Sequence, residues 1–422
     1  MSEAKPIFRG VRGAPDILPV DVVRWQRVED EARRILHDYS YLEIRTPIFE
    51  RTELFVRGIG EGTDIVEKQM YTFQDRGKES LTLRPEGTAP VIRACLEHHL
   101  LTRGGLYKVY YIGPMFRHER PQAGRFRQFH QIGAEAIGVE DPGLDAEVLD
   151  LLCHLFDTLG VAGWKLHLNS IGDDTCRPVF RERFIRYIHG KQEKLCPDCR
   201  VRLERNPLRI LDCKEKGCQS LVARAPSPLE SLCKECETHF RRVQDLLGLL
   251  KIDYTVNERL VRGLDYYIRT TFEFVNPALG AQNAIAGGGR YDKLVGEMGG
   301  PPTPGIGFAI GMERLLISLP PEGQGDVWTG VFAAILGKEA FQVGFQIVQG
   351  LRRQGIRTGV DLEGRSLKSQ MRFAHKERYR YALILGEEEL KTGLATLKDM
   401  AKGDQEQIPL REVVDRLVRQ ES

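Results

Sequence analysis

Four arginines, Arg117, Arg120, Arg125 and Arg127, fall within eleven residues that hold a single acid, Glu119. Guanidinium forks gathered in this way suit phosphate oxygens, because planar paired donors match their geometry. A solvated charged loop is the competing reading. What favours a ligand is the stretch that follows: Gln131 and Glu135 fall in phase with Phe129, so one strand face carries polar groups where a core strand would be apolar. A second set of reactive residue types is Arg262, Asp265, Tyr266 and Tyr267, in LVRGLDYY just before an apolar-rich strand at 271–275. Core aromatics and an Arg262–Asp265 ion pair would account for it without a ligand. A third is RPEGT at 84–88, where side-chain oxygens of Glu86 and Thr88 converge with free N–H groups as a strand gives way to a helix. A simple helix cap is the alternative there. Among nine cysteines, Cys196-x2-Cys199 and Cys233-x2-Cys236 form two C-x2-C pairs. Such pairs are a tetrahedral zinc signal in a reducing compartment. The gap between them is longer than the usual ribbon, and Cys213 and Cys218 are rival ligands. The spacing therefore admits a structural Zn2+ without favouring it over small buried thiols, and no His or acid completes an open catalytic metal site.

These residues need elements to position them. The arginines belong at the tip of a hairpin: a strand at 107–112, Gly113-Pro114, a polar loop with Pro121 and Gly124, and a returning strand through Phe129 to Glu135. Upstream, Val22, Trp25, Val28, Ala32, Ile35, Leu36 and Tyr39 predict a helix over 19–39. An extended segment at 41–45 runs into Pro47, which marks an edge or strand end because proline cannot donate to a ladder. A hairpin is expected at 70–84 around Asp75-Arg76-Gly77-Lys78, with a helix over 89–99. An amphipathic helix at 141–160 and a strand at 164–169 read as core. From about 176 to 250 the chain is helical, strongly charged and cysteine-rich, as an inserted subdomain would be. AGGGRYD at 286–292 and the Gly-rich strand at 305–311 follow, the latter feeding a helix with Arg314 in its first turn. Gly307 and Gly311 would leave a flat floor for a base or triphosphate. After a Pro/Gly linker at 320–326, strands at 331–336, 357–360 and 382–385 alternate with helices at 340–353, 366–376 and 410–420 as a small α/β unit. Arg365, Lys368, Arg372, Lys376, Arg378 and Arg380 cluster late in it, as a solvated helix face or an RNA contact.

The stretch FRHERP…GRFRQFHQ resembles motif 2 of class II aminoacyl-tRNA synthetases, and of histidyl-tRNA synthetases in particular. The helix and strand ending at Pro47 are similar to motif 1, which builds the dimer contact, and 305–316 is similar to motif 3. LVRGLDYY and AGGGRYD resemble the two histidine-specific signatures. The resemblance spans nearly the whole chain. It implies an α/β fold, with an α+β catalytic domain whose antiparallel sheet is flanked by helices, a helical insertion, and a C-terminal α/β anticodon-binding domain. The expected boundaries are 1–170 and 253–325 for the two parts of the catalytic core, 171–252 for the insertion and 326–422 for the anticodon-binding domain. The implied activity is ATP-dependent formation of histidyl-adenylate from L-histidine and transfer to the 3′ end of tRNA(His), with Mg2+ bridging the phosphates. The family places Arg117 and Arg262 about the reacting phosphate, and Glu86, Thr88 and Gln131 on the substrate amino group. It places Glu135, Tyr266 and Tyr267 around the imidazole, and Glu119, Arg125 and Arg314, with Arg117, on ATP. A neutral imidazole has one donor and one acceptor, so an acceptor such as Glu135 and an amphoteric hydroxyl such as Tyr267 would read it. The insertion in this family reaches towards the tRNA acceptor end. Two rivals share the fold: a non-catalytic histidine-binding regulatory subunit of ATP phosphoribosyltransferase, and a synthetase-like sensor module.

Composition narrows the class. A chain of 422 residues with 41% hydrophobic and 28% charged residues can bury large cores in more than one domain. The net charge of +2 asks for no nucleic-acid partner globally, so an RNA-binding surface must be local. Residues 1–9 lack an apolar segment of signal-peptide type and no stretch approaches a membrane span, from which a cytoplasmic location and reduced thiols are expected.

Overall fold

A computed structural model describes residues 8–102, 104–122, 124–320 and 328–421. The chain divides into two compact units, Met1–Pro320 and Pro321–Ser422. Of the expected linker at 320–326, all but Pro320 lies outside the described residues, as does most of the stretch 1–9.

The first unit is built on an eight-stranded sheet. Its order is Leu42–Glu43, Tyr107–Phe116, Gln128–Ile137, Gly305–Gly311, Ala284–Arg290, Ile268–Val275, Lys165–Ser170 and Tyr254–Val256. The inner strands pair antiparallel, while the short strands at both edges pair parallel. Strand alternation separates two faces. Tyr110, Ile132 and Ala134 join the helices Pro19–Asp38, Pro142–Thr158 and Lys234–Leu249 in one core, through Ala32, Leu36, Leu149, Phe156, Phe240 and Val243. Their neighbours Val109 and Tyr111 point the other way, into a core shared with Val91 and Ile92 of the helix Thr88–Glu97 and with the tyrosines Tyr266, Tyr267 and Tyr291. Asp141 starts the helix Pro142–Thr158 by accepting from the Gly143 amide at 2.6 Å, a side-chain cap that satisfies one of its free N–H groups.

A fully buried ion pair locks the sheet to that helix. Arg290 Nε lies 2.8 Å from Asp145 Oδ2, and Arg290 also donates to the carbonyls of Val139 and Asp141. The arginine of the AGGGRYD segment is therefore structural, facing away from any ligand.

The strands Phe49–Arg51, Tyr71–Gln74 and Ser80–Leu83 form a small separate sheet. Leu42, Ile48, Phe49 and Phe73 are exposed around Pro47. The insertion is the crossover between Lys165–Ser170 and the edge strand Tyr254–Val256, which pair parallel, and holds the helices Cys176–Ile188, Pro197–Arg205, Lys216–Val222 and Lys234–Leu249. Among the described residues, no helix is long and apolar enough to cross a membrane.

The second unit is a five-stranded sheet in the order Thr358–Val360, Val331–Ile335, Tyr381–Leu385, Leu394–Asp399, Gln405–Pro409. The expected strands and helices are present. The antiparallel pair Leu394–Asp399 and Gln405–Pro409 is not anticipated by the sequence pattern, because Gln405, Glu406 and Gln407 are all exposed and show no alternation.

Candidate active site

The hairpin of Tyr107–Phe116 and Gln128–Ile137 continues beyond its strands: the Arg117 amide donates to Arg127 O at 2.9 Å. This fixes the backbone of Arg117 at the mouth of a cavity above the sheet. Its Nε donates to Pro85 O at 2.8 Å, and its guanidinium stands over the Phe129 ring at 5.2 Å. Burial pulls the Arg117 guanidinium below its ordinary range, against the pull of Glu119 and Glu86; a guanidinium stays charged even so.

Arg262 reaches the same cavity from the loop before the strand Ile268–Val275. Its Nη1 donates to Glu273 Oε1 at 2.6 Å. Burial weakens this cation, but Glu273 and Tyr267 more than offset it and hold its pKa above the ordinary value. The Arg262–Asp265 pair that a ligand-free account would need is not formed. Asp265 instead accepts from Asn206 Nδ2 at 2.7 Å.

Arg314, in the first turn of the helix Met312–Ser318, donates to Gly124 O at 2.9 Å and Ala284 O at 3.0 Å. It thus ties the hairpin loop to the neighbouring strand while lining the cavity. Arg125 Nε lies 3.3 Å from Glu119 Oε2. Of the four hairpin arginines, Arg117 and Arg125 line the cavity and Arg120 and Arg127 do not.

A polar pocket adjoins these cations. Glu86 is buried, and its carboxylate accepts from the amides of Thr88 at 2.8 Å and Ala89 at 2.9 Å. The helix-cap reading and the ligand reading therefore share one residue, since Glu86 caps the helix Thr88–Glu97 and also lines the cavity. Gln131, Tyr266 and Tyr267 line it too, the two tyrosine rings 4.6 Å apart. Burial pushes the Tyr267 hydroxyl up to about 12, so it keeps its proton at neutral pH.

Glu135 does not line the cavity. It lies one layer beneath, where it accepts from Thr88 Oγ1 at 2.7 Å and from the Tyr291 hydroxyl at 2.6 Å. Burial first, and the charge of Glu86 in addition, raise its pKa to about 8 in spite of these donors.

Buried polar atoms are nearly always hydrogen-bonded, so exceptions are informative. Gln131 Oε1 and Arg262 Nε, like buried polar atoms elsewhere in the chain, have no hydrogen-bond partner among the described residues, and Glu119 Oε2 has only its ion-pair contact with Arg125. All three belong to side chains around this one cavity.

Of the two glycines expected to leave a flat floor, Gly311 lines the cavity with nothing crowding its Cβ position, while Gly307 faces a side chain. A Cβ on Gly287 would strike the Arg262 guanidinium, one on Gly289 would meet Tyr267, and one on Gly307 would strike the Glu135 carboxylate. They make room for site side chains rather than for a ligand. Tyr111, Glu273 and Glu313 were not singled out by the sequence. The Tyr111 ring fits between Gly87 and Gly133, the second of which is its own register partner. Glu313 accepts from the His130 amide at 2.8 Å. Only Glu273 left a trace, a charge between Phe272 and Phe274 in an otherwise apolar strand.

The family model for histidyl-tRNA synthetase matches residues 13–172 and 207–315. The chain belongs to the histidyl-tRNA synthetase family. Residues 331–420 match the model of an anticodon binding domain. Similar synthetases include the histidine–tRNA ligases of Syntrophotalea carbinolica, 53% identical over 97% of this chain and 98% of that one, and of Moorella thermoacetica, 52% identical over 96% of each. The apo S. aureus histidyl-tRNA synthetase matches in structure with a TM-score of 0.83 and 35% identity, over 98% of this chain and all of that one. A Bacillus halodurans ATP phosphoribosyltransferase regulatory subunit/histidyl-tRNA synthetase shares the fold, with a TM-score of 0.65 at 19% identity, over 90% of this chain and 99% of that one.

Proposed function

We propose that the chain is a histidine–tRNA ligase, an enzyme that activates L-histidine with ATP and esterifies the product to tRNA(His). One observation carries the reading: Arg117 and Arg262, from distant parts of the chain, line one cavity beside a buried polar pocket. The carboxylate oxygen of histidine attacks the α-phosphorus, the bond to the β-phosphate bridging oxygen breaks, and pyrophosphate leaves. The terminal ribose hydroxyl of the tRNA then attacks the carbonyl carbon and AMP leaves.

No covalent enzyme intermediate is needed, so the work is positioning and charge stabilisation. Arg117 and Arg262 meet the α-phosphate from opposite sides. Arg125 and Arg314 take the terminal phosphates, and Glu119 accepts from the adenine amino group through Oε2. Glu86, Thr88 and Gln131 hold the substrate ammonium, while Tyr266 and Tyr267 face the imidazole. Glu135 reads the ring from below: its carboxyl exchanges the Thr88 hydroxyl for a ring N–H, or fixes that hydroxyl for the ligand. Buried partners of this type reject apolar competitors strongly, because they would otherwise go unpaired.

Mg2+ would be held by the phosphates with Glu313, a carboxylate that lines the cavity with the phosphate-binding arginines. When bound with ATP it would neutralise phosphate charge. We further propose that 1–170 and 253–325 form the catalytic domain, that 171–252 meets the acceptor end and that 326–422 reads the anticodon. A cytoplasmic homodimer, joined through the exposed apolar residues around Pro47, completes the reading. Intact Arg117, Arg262 and Arg314 around one cavity, with the C-terminal unit present, weigh against a regulatory subunit.

The test is exchange of labelled pyrophosphate into ATP with each amino acid in turn. Histidine alone should support exchange, and unfractionated tRNA should then be charged with histidine. Exchange with no amino acid, or charging with another one, would sink the reading.

A further inference from the structure

The cysteines are not distributed as their spacing suggests. The two C-x2-C pairs lie in different clusters, each completed by residues from elsewhere in the insertion. Cys196 and Cys199 meet Cys213 and Cys218, and Cys233 and Cys236 meet Asp173 and Cys176. In each cluster the four ligand atoms all lie within 4.8 Å of one another. We propose that the insertion holds two structural Zn2+ ions, one in the all-cysteine cluster and one in the cluster that Asp173 completes.

The geometry is that of thiolates around a metal rather than of disulfides. A tetrahedral Zn–S distance of about 2.3 Å sets neighbouring sulfurs about 3.8 Å apart. Cys196 Sγ and Cys213 Sγ are 3.8 Å apart, well beyond the ~2.05 Å of a disulfide. Backbone amides point at the sulfurs: Cys196 N at Cys218 Sγ (3.2 Å), Cys233 N at Cys176 Sγ (3.0 Å) and Cys236 N at Cys233 Sγ (3.5 Å). Amide donors of this kind stabilise ligating thiolates and fix their orientation. The two sites share a design. Cys196 and Cys233 each sit at the N-cap of a helix, Pro197–Arg205 and Lys234–Leu249, with the second cysteine of each pair in the first turn. Cys199, Cys213, Cys218, Cys176 and Cys236 are buried, which leaves no open coordination position and argues against a catalytic metal.

Each site closes a loop of the insertion, beside the apolar core that holds Phe180, Phe184, Leu195 and Ile210. The site with Asp173 ties the start of the insertion to the start of its last helix. The all-cysteine site clamps the ends of the segment between Cys199 and Cys213. That segment supports the active-site loop: Asn206 holds Asp265, and Arg209 Nη1 donates to the Arg262 carbonyl at 2.8 Å. Arg202 Nη2 anchors the segment to Asp64 Oδ2 at 2.7 Å. Metal binding at the clamp is thereby coupled to the placement of Arg262. Asp173, Cys176, Cys196 and Cys199 all fall between the two segments that match the synthetase family model.

The test is the metal content of the full chain, purified under reducing conditions after expression with added zinc. Elemental analysis and native mass spectrometry should find two zinc ions per chain. Replacement by Co2+ should give intense sulfur-to-cobalt absorption with tetrahedral d–d bands. Cys213→Ala and Cys236→Ala should each lower the count to one, and the double variant should lose both. If those variants do not fold, titrating the wild-type thiols with a mercurial while a chromogenic chelator reports released zinc gives the same count, and native mass spectrometry keeps the test alive. A count of one overturns the cluster whose variant leaves it unchanged. No zinc, an unchanged count in both variants, or disulfide-linked peptides among these cysteines overturns the proposal. None of these readouts depends on ligase activity.

Discussion

The two units of the chain keep their cations in opposite ways. In the cavity, Arg117, Arg262 and Arg314 are held by Pro85 O, the Glu273 carboxylate, and Gly124 O with Ala284 O. In the second unit, Lys368, Arg372 and Lys376 follow one another at helical spacing on the exposed face of the helix Leu367–Lys376, whose other face buries Gln370 and Ala374. At the margins of this basic cluster, Arg365 and Arg380 lean on Asp361 and Asp399. A desolvated, immobilised guanidinium acts in a low dielectric and needs no reorganisation as charge develops, so it can serve a transition state. A hydrated one gives attraction that salt screens and that is spread over many groups, which suits a polyanion's backbone. Similar residue types therefore predict different sensitivities in the two units.

The contrast is tested most severely by Arg262→Ala. Pyrophosphate exchange should fall by about 10²- to 10³-fold, and undiminished exchange would break the comparison at its centre. Gly287→Ala leaves every charge in place but puts a methyl group against the Arg262 guanidinium. Misplacement on this scale should cost exchange up to about 100-fold at nearly unchanged substrate KM, and full activity would show that the guanidinium need not be fixed.

Glu135→Gln sharpens the same point through pH. A folded pKa of about 8 against the ordinary 4.5 means that the folded chain keeps a proton the unfolded chain has released. The linked stability is complete below the unfolded value and is lost as pH rises through about 8. The ligand-free wild type should therefore lose more Tm than Glu135→Gln over that window, and parallel pH profiles would show that the carboxyl does not titrate there. The smallest effect belongs to the second unit. The double variant Lys368→Ala/Arg372→Ala should leave exchange intact, weaken tRNA charging several-fold, and reduce the salt slope of tRNA binding by about two. A loss of exchange in this variant would erase the distinction between the units.

Much of this was legible in the residues. The helix over 19–39, the arginine hairpin, the 141–160 helix and the strand-helix alternation beyond 331 follow from local periodicity, which a short window contains. Glu86, Thr88, Arg117, Glu119, Arg125, Gln131, Arg262, Tyr266, Tyr267 and Arg314 could be named because the motifs that hold them resemble those of histidyl-tRNA synthetases, and the cavity gathers all of them. What was hidden depends on pairing across distance. Tyr111 looks like any strand aromatic until register sets it opposite Gly133. Glu135, in phase with Gln131, gives no sign that it lies a layer deeper, since alternation fixes a face and not a depth.

Periodicity and caps thus determined the elements, and the resemblance of short motifs pointed to the family, because both are written in neighbours along the chain. The tertiary structure alone decided which glycine yields to which side chain, that Arg262 pairs with Glu273 rather than Asp265, and how the cysteines divide between two clusters. Those choices rest on sheet register and on the crossover that carries the segment at 173–176 to the one at 233–236. No local window contains both sides of such a contact.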